Sequence, residues 1–143
     1  MDAAQALADL TEISSQVTEV AILDSDGSLL ASTATTPARA ERFVAGVERL
    51  LTEADRLAGL RGLPELTQLE VSTHEGSVFV VRRDGRLIAA ATRPDPTVGL
   101  VLYDLKHCIG SLDDPSAGTS ANVKRQAATP RPRTPRKKAD TSA

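Results

Sequence analysis

The stretch that decides the fold is "TEVAILDSDGSLLAST", residues 18–33, in which two apolar runs flank an Asp-Ser-Asp-Gly bend. Asp-Gly is the residue pair favoured where a tight hairpin needs positive φ. The same pattern returns in "FVVRRDGRLIAAAT", residues 79–92. This repetition predicts two β-hairpins, the first of which joins strands at 20–23 and 29–33.

The acidic residues of the first bend also raise the possibility of a cation-binding loop, and their spacing argues against it. If Gly27 is the sixth residue of an EF-hand loop, Thr33 takes the twelfth position, where a bidentate Glu is required. Strands rather than helices would flank that loop. We therefore interpret Asp24 and Asp26 as turn residues and predict no metal site.

The remaining elements complete an α+β pattern. Residues 66–73 alternate between apolar and polar, 77–81 are apolar on both sides, and 85–92 follow the second bend, which predicts three more strands. Helical spacing predicts one helix over 3–17, one from Thr36-Pro37 to about Gly59, and a last one that Thr97 opens. The order α-β-β-α-β-β-β-α predicts an α+β fold in which a five-stranded antiparallel sheet lies between helices.

Charge divides the chain into two parts. Residues 1–114 carry 18 acidic and 10 basic side chains, whereas 115–143 carry one acidic and seven basic side chains. The second part has four prolines and one branched aliphatic residue, too little apolar surface to fold. We therefore predict a domain at 1–114 and a disordered basic tail at 115–143 that could contact an acidic surface. Its basic patch comprises Lys124, Arg125, Arg131, Arg133, Arg136, Lys137 and Lys138. Phosphorylation of Thr129 or Thr134 would lower this charge.

The sequence predicts a cytoplasmic protein. It has no run of 18 apolar residues, and its first residues are acidic rather than the basic, then apolar order of a signal peptide. Cys108 is the single cysteine, so no intramolecular disulfide can form. Its position on the apolar side of the last helix predicts a core thiol.

No motif indicates catalysis or a cofactor. His74 lies in a polar turn, while His107 and Cys108 are adjacent on a helix, where neighbouring side chains point about 100° apart. The chain contains neither G-x-x-x-x-G-K-[ST] nor G-x-G-x-x-G, so no phosphate cradle is recognisable. We therefore expect a non-enzyme without a cofactor or small-molecule substrate.

The second helix and the strand at 66–73 are predicted to carry more apolar and unpaired surface than one subunit covers. Phe43, Leu50 and Leu57 repeat every seventh residue along one border of the helix's apolar arc, and Gly46 lies just beyond it. The strand has neither Pro nor Lys to protect an exposed edge.

Taken together, these features resemble the roadblock / dynein light-chain family over about residues 3–113. The resemblance rests on the element order, "VAILDSDGSLLAS" after a first helix, the long second helix, "LEVSTHEGSVFVVRRDGRLIAAAT", and "PTVGLVLYDLKHCIGSL" at the last helix. It implies a non-catalytic dimerisation module in which the second helix and third strand meet their counterparts in another copy. Bacterial members of this family commonly act with Ras-like small GTPases, as activators or scaffolds.

From this resemblance and the exposed features above we predict a symmetric homodimer. Its predicted interface comprises Phe43, Gly46, Val47, Leu50, Leu57, Gln68, Glu70 and Ser72. The expected partner is a Ras-like small GTPase, which the protein would bind either as a scaffold or as a regulator that stimulates GTP hydrolysis. Two alternatives stay open: a small-molecule sensor of PAS or profilin-like type, and a nucleic-acid or membrane accessory driven by the tail.

Overall fold

A computed structural model describes residues 1–113, which contain three helices and five strands. The order predicted from the sequence is confirmed. The helices are α1 (Ala3–Ile13), α2 (Pro37–Leu60) and α3 (Val98–Gly110); the strands are β1 (Val17–Leu23), β2 (Leu29–Ser32), β3 (Gln68–Thr73), β4 (Gly76–Arg83) and β5 (Arg86–Thr92).

The five strands form one antiparallel sheet in the order β2-β1-β5-β4-β3. β5 lies at its centre and contains four consecutive buried residues, 87–90. β2 and β3 are the two edges. A sheet whose central strands are apolar on both faces must be covered on both.

Helices cover the two faces unequally. One face carries Ile22, Phe79 and Ile88, all with no exposed surface, against α1 and α3. The other carries Leu23, Val80 and Leu87 against Val47 and Leu51 of α2, the one helix of residues 1–113 on that face. Since one helix is narrower than five strands, these residues leave part of the α2 face uncovered.

Both Asp-Gly bends are hairpin turns, as predicted. In the first, the carboxylate of Asp26 accepts hydrogen bonds from the backbone N–H and the hydroxyl of Ser28 at 3.0 and 2.6 Å, which lower the pKa of that carboxyl. In the second, Asp84 and Gly85 have φ of 53° and 81°, as a two-residue turn between right-twisted strands requires. The bends therefore shape the backbone.

The first helix is shorter than predicted. It begins at its Asp2 cap, whose side chain accepts from the N–H of Gln5, but it ends at Ile13 instead of continuing to Val17. Ser14 is already extended, and Val17 opens β1 opposite Thr92. Sheet pairing thus overrides helical spacing at Val17, because a β-branched residue suits a strand equally well.

The predicted tail at 115–143, with the seven basic residues 124–138 and both threonines, lies outside the described residues. The predicted boundary at 114 stays a prediction. Within residues 1–113, no helix is long and apolar enough to cross a membrane.

Candidate functional site

The α2 helix is fixed at its start by the predicted cap. The hydroxyl of Thr36 accepts from the N–H of Arg39 at 3.2 Å, and Pro37 occupies the first helical position, where its missing N–H costs nothing. Four positions at helical spacing face the sheet and are buried: Ala40, Val47, Leu51 and Ala58. This buried stripe leaves its two borders only partly covered.

One border of α2 forms a shallow groove, and four of the predicted interface residues meet there. Phe43, Gly46, Val47 and Leu50 line it together with Arg42 and with Val78 of β4, around a volume of about 200 Å³. Phe43 and Leu50 are half-buried. A Cβ placed on Gly46 would find no atom within 4 Å, so the single subunit does not require glycine here.

Leu57 lies apart from this groove. It is on the same side of α2 as Leu50 and about 10 Å further along the axis, and 57% of it is exposed. Leu60 and Leu63 beyond it are 71% and 59% exposed. Exposed leucine side chains therefore continue the apolar border to the end of α2 and just beyond it.

The three predicted strand residues lie on an open sheet edge. The N–H of Arg82 donates to the carbonyl of Thr67 at 2.8 Å, and the β3–β4 register continues without a shift. In an antiparallel ladder the backbone groups of alternate residues point to opposite sides. Those of Gln68, Glu70 and Ser72 therefore point away from β4, toward the uncovered edge.

The side chains of these strand residues face away from the groove. They alternate with Leu69 and Val71, which pair with Val80 and Val78 and share the α2 face of the sheet. The structure therefore brings the helix set and the strand set to one edge through the backbone of β3. Val78 is the groove residue that sequence reasoning missed, whereas the alternating pattern at 66–73 had already placed Leu69 and Val71 on the apolar side of their strand.

An ion pair ties α2 to the sheet beside this edge. The carboxylate of Asp55 accepts from both terminal nitrogens of Arg82, at 2.6 and 3.1 Å, and from the N–H of Leu66 at 3.2 Å. The Arg82 guanidinium holds the pKa of Asp55 below its usual value. Hydrogen bonding to Asp55 in turn raises the pKa of Arg82. This network links α2 to β4 and to the segment that precedes β3.

The other titratable residues singled out in the sequence do not assemble into a reactive centre. His74 lies in the turn between β3 and β4, and the ring of His107 stacks on Tyr103 with centroids 6.3 Å apart. Cys108 is buried, as predicted, and its burial raises the pKa of the thiol to about 11. Across the described part of the chain, no three His, Cys, Asp or Glu residues are placed to hold a metal ion.

Solved structures share this fold. A Roadblock/LC7 domain from Streptomyces avermitilis matches with a TM-score of 0.68 and 18% identity, over 78% of this chain and 94% of that one. The gliding protein MglB from Thermus thermophilus matches at 0.63 and 16%, over 74% and 82%. A structure described as MglB with tetrameric arrangement matches at 0.60 and 17%, over 73% and 82%. A search of curated proteins found no match.

The sequence itself matches the Roadblock/LC7 domain model over residues 4–92, from α1 through the end of β5. That span contains the whole sheet, the α2 groove and the open β3 edge. The match confirms the resemblance inferred from the hairpins and element order: the chain belongs to the Roadblock/LC7 domain family.

Proposed function

We propose that this protein is a non-catalytic, homodimeric roadblock-type regulator or scaffold that binds a Ras-like small GTPase and stimulates its GTP hydrolysis. The observation that carries the proposal is the juxtaposition of a half-covered apolar groove on α2 with an unpaired β3 edge in a chain of this family. Both features call for a second polypeptide, and a two-fold axis makes each the partner of its own copy.

Self-association is supported by the unpaired backbone groups of β3 and by the half-covered apolar groove of α2. The edge residues Gln68, Glu70 and Ser72 have outward backbone groups without a strand beside them among the described residues. Pairing β3 with its copy would satisfy these groups and continue the sheet across two subunits. The same pairing would bring the two α2 helices into contact through Phe43, Gly46 and Leu50. The tetrameric arrangement named for MglB is a related precedent for self-association.

The GTPase is assigned to the α2 side of the dimer. On that side a single helix per subunit covers the sheet, so its outward polar residues, including Glu48 and Arg49, are exposed. Paired α2 helices would present two such rows as one broad surface. Stimulation of hydrolysis would come from ordering the GTPase's own switch residues around the γ-phosphate. No catalytic group from this chain is required for that.

Affinity capture with Ras-like small GTPases from the same genome, loaded with GTP or GDP, tests the proposal. We expect retention of one GTPase and a preference for its GTP form, because the switch segments differ between the two forms. Single-turnover measurement of GTP hydrolysis then checks whether the bound GTPase reacts faster. Absence of binding to every such GTPase in both nucleotide states would contradict the proposal.

A matched pair of charge reversals locates the docking surface. Arg49→Glu on α2 should weaken GTPase binding while the solution mass stays that of the wild type. Lys106→Glu on α3 is the control, because Lys106 is also exposed but lies across the sheet. Equal binding by both variants would contradict the assignment to the α2 side.

A further inference from the structure

A second cavity lies on the opposite side of the sheet from the α2 groove, between α1 and α3. It encloses about 290 Å³, near the lower end of the roughly 300–1,000 Å³ typical of ligand pockets. Its lining includes three carboxylates and three apolar or aromatic groups: Asp9, Glu12, Asp104, Leu10, Ile13 and His107.

Asp104 is the unusual member of this lining. It is only 7% exposed, and within residues 1–113 no hydrogen-bond donor reaches its carboxylate. Shielding a carboxylate from most of its water without such a partner disfavours its charged form. Burial accordingly raises the pKa of Asp104, with His107 opposing the change through its charge. Residues 1–113 thus hold an acidic group that no hydrogen-bond donor or cation of the same residues pairs with directly.

The other residues that line the cavity indicate which chemical group it would bind. Glu12 is exposed on α1, and Asp9 accepts from the side-chain amide of Gln5 on its own helix, at 2.9 Å. These two carboxylates add negative charge around Asp104. Leu10 and Ile13 add apolar wall, which suits an aliphatic stem more than a hydrated inorganic ion. An arginine side chain matches both features. Its guanidinium can bond a carboxylate through two N–H groups at once, and its three-carbon stem can pack against the apolar wall.

We propose that the cavity between α1 and α3 binds an arginine side chain presented by a partner protein. The partner's basic segment would be attracted by the described subunit, whose acidic residues outnumber its basic ones. An arginine in a desolvated pocket is a common anchor of protein interfaces. Because this cavity lies across the sheet from α2 and away from the β3 edge, it can be filled while the proposed dimer and GTPase surfaces are occupied.

The test uses N-acetyl-arginine amide as the probe and the neutral, nearly isosteric N-acetyl-citrulline amide as its control. Both are titrated into the full chain while amide chemical shifts are followed by NMR. We expect saturable shifts at Leu10, Ile13 and His107 with the arginine probe alone. Lack of saturable shifts there, or equal shifts with the citrulline probe, would overturn the proposal.

Three variants separate the role of the Asp104 carboxylate from general electrostatics. Asp104→Asn keeps the shape of the side chain and should raise the dissociation constant at least about tenfold, since a charge-assisted bond is lost. Glu12→Gln, at an exposed position, should raise it about threefold. Glu41→Gln on α2 should leave it unchanged. An unaltered dissociation constant in both Asp104→Asn and Glu12→Gln would refute the site.

Discussion

Replacing Gly46 with glutamine should have opposite effects on the subunit and on the dimer. In one subunit the position is open, with no atom within 4 Å of an added Cβ. It lies in the interior of the 24-residue helix α2. Exchanging an interior helical glycine for a good helix former gains about 0.5–1 kcal/mol. For a subunit alone, that gain raises the melting temperature by about 2–4 °C.

In the proposed dimer the same side chain would project into the contact between the two α2 helices. Overpacking costs about 1–3 kcal/mol per site, and the two-fold axis applies it twice. The lower bound of about 2 kcal/mol corresponds to an increase of at least about 30-fold in the dissociation constant. Sedimentation equilibrium over a concentration series measures this constant directly.

Gly59→Gln is the matched control. Gly59 also lies in α2 and also has open space at its Cβ, but at 100° per residue it points about 140° away from Gly46. It should leave the dissociation constant unchanged. A Gly46→Gln variant that associates as tightly as the wild type would refute the reasoning, because the helix border would then not be in the interface.

The remaining predictions concern the edge, the ion pair and the buried thiol. Glu70→Pro removes an N–H that points away from β4, so it should abolish dimerisation while the circular dichroism spectrum stays that of a folded subunit. Val71→Pro removes an N–H that bonds to β4, so it should destabilise the fold itself. Equal unfolding of the two variants would contradict the assigned register. Asp55→Ala should lower the free energy of unfolding, measured in urea, by about 2 kcal/mol, because the Arg82 guanidinium loses two hydrogen bonds and the N–H of Leu66 loses one. Since the folded pKa of Asp55 is lowered, the wild type keeps this contribution above about pH 4 and loses it as the pH falls through the folded value; a variant that loses no stability at pH 7 would contradict the role. Cys108, whose thiol pKa is raised to about 11, should resist alkylation at pH 8 until the protein unfolds, and rapid labelling of the folded protein would show that the thiol is accessible.

The sequence predicted the hairpins and the faces of the central strands because their determinants are local. Asp84 and Gly85 specify their turn wherever the two strands lie. The end of α1 was wrong because Val17 fits the helical period and the strand equally well. Its strand state depends on pairing with Thr92, 75 residues away along the chain, which no local pattern contains.

The sequence sufficed to predict the part of the candidate site on α2, but not all of its part on the sheet. A period of 3.6 residues suffices to place Phe43 and Leu50 on one border of α2. Val78 completes the groove through a strand remote in sequence, so its role requires the tertiary register. Leu69 and Val71 are only half-buried, because α2 covers the inner strands more fully than the edge.

Solution mass tests the central claim, self-association through α2 and β3, most directly. Multi-angle light scattering of the full chain at micromolar concentration should give twice the chain mass of 15.1 kDa. A single species at the mass of one chain, unchanged as the concentration is raised, would contradict the account.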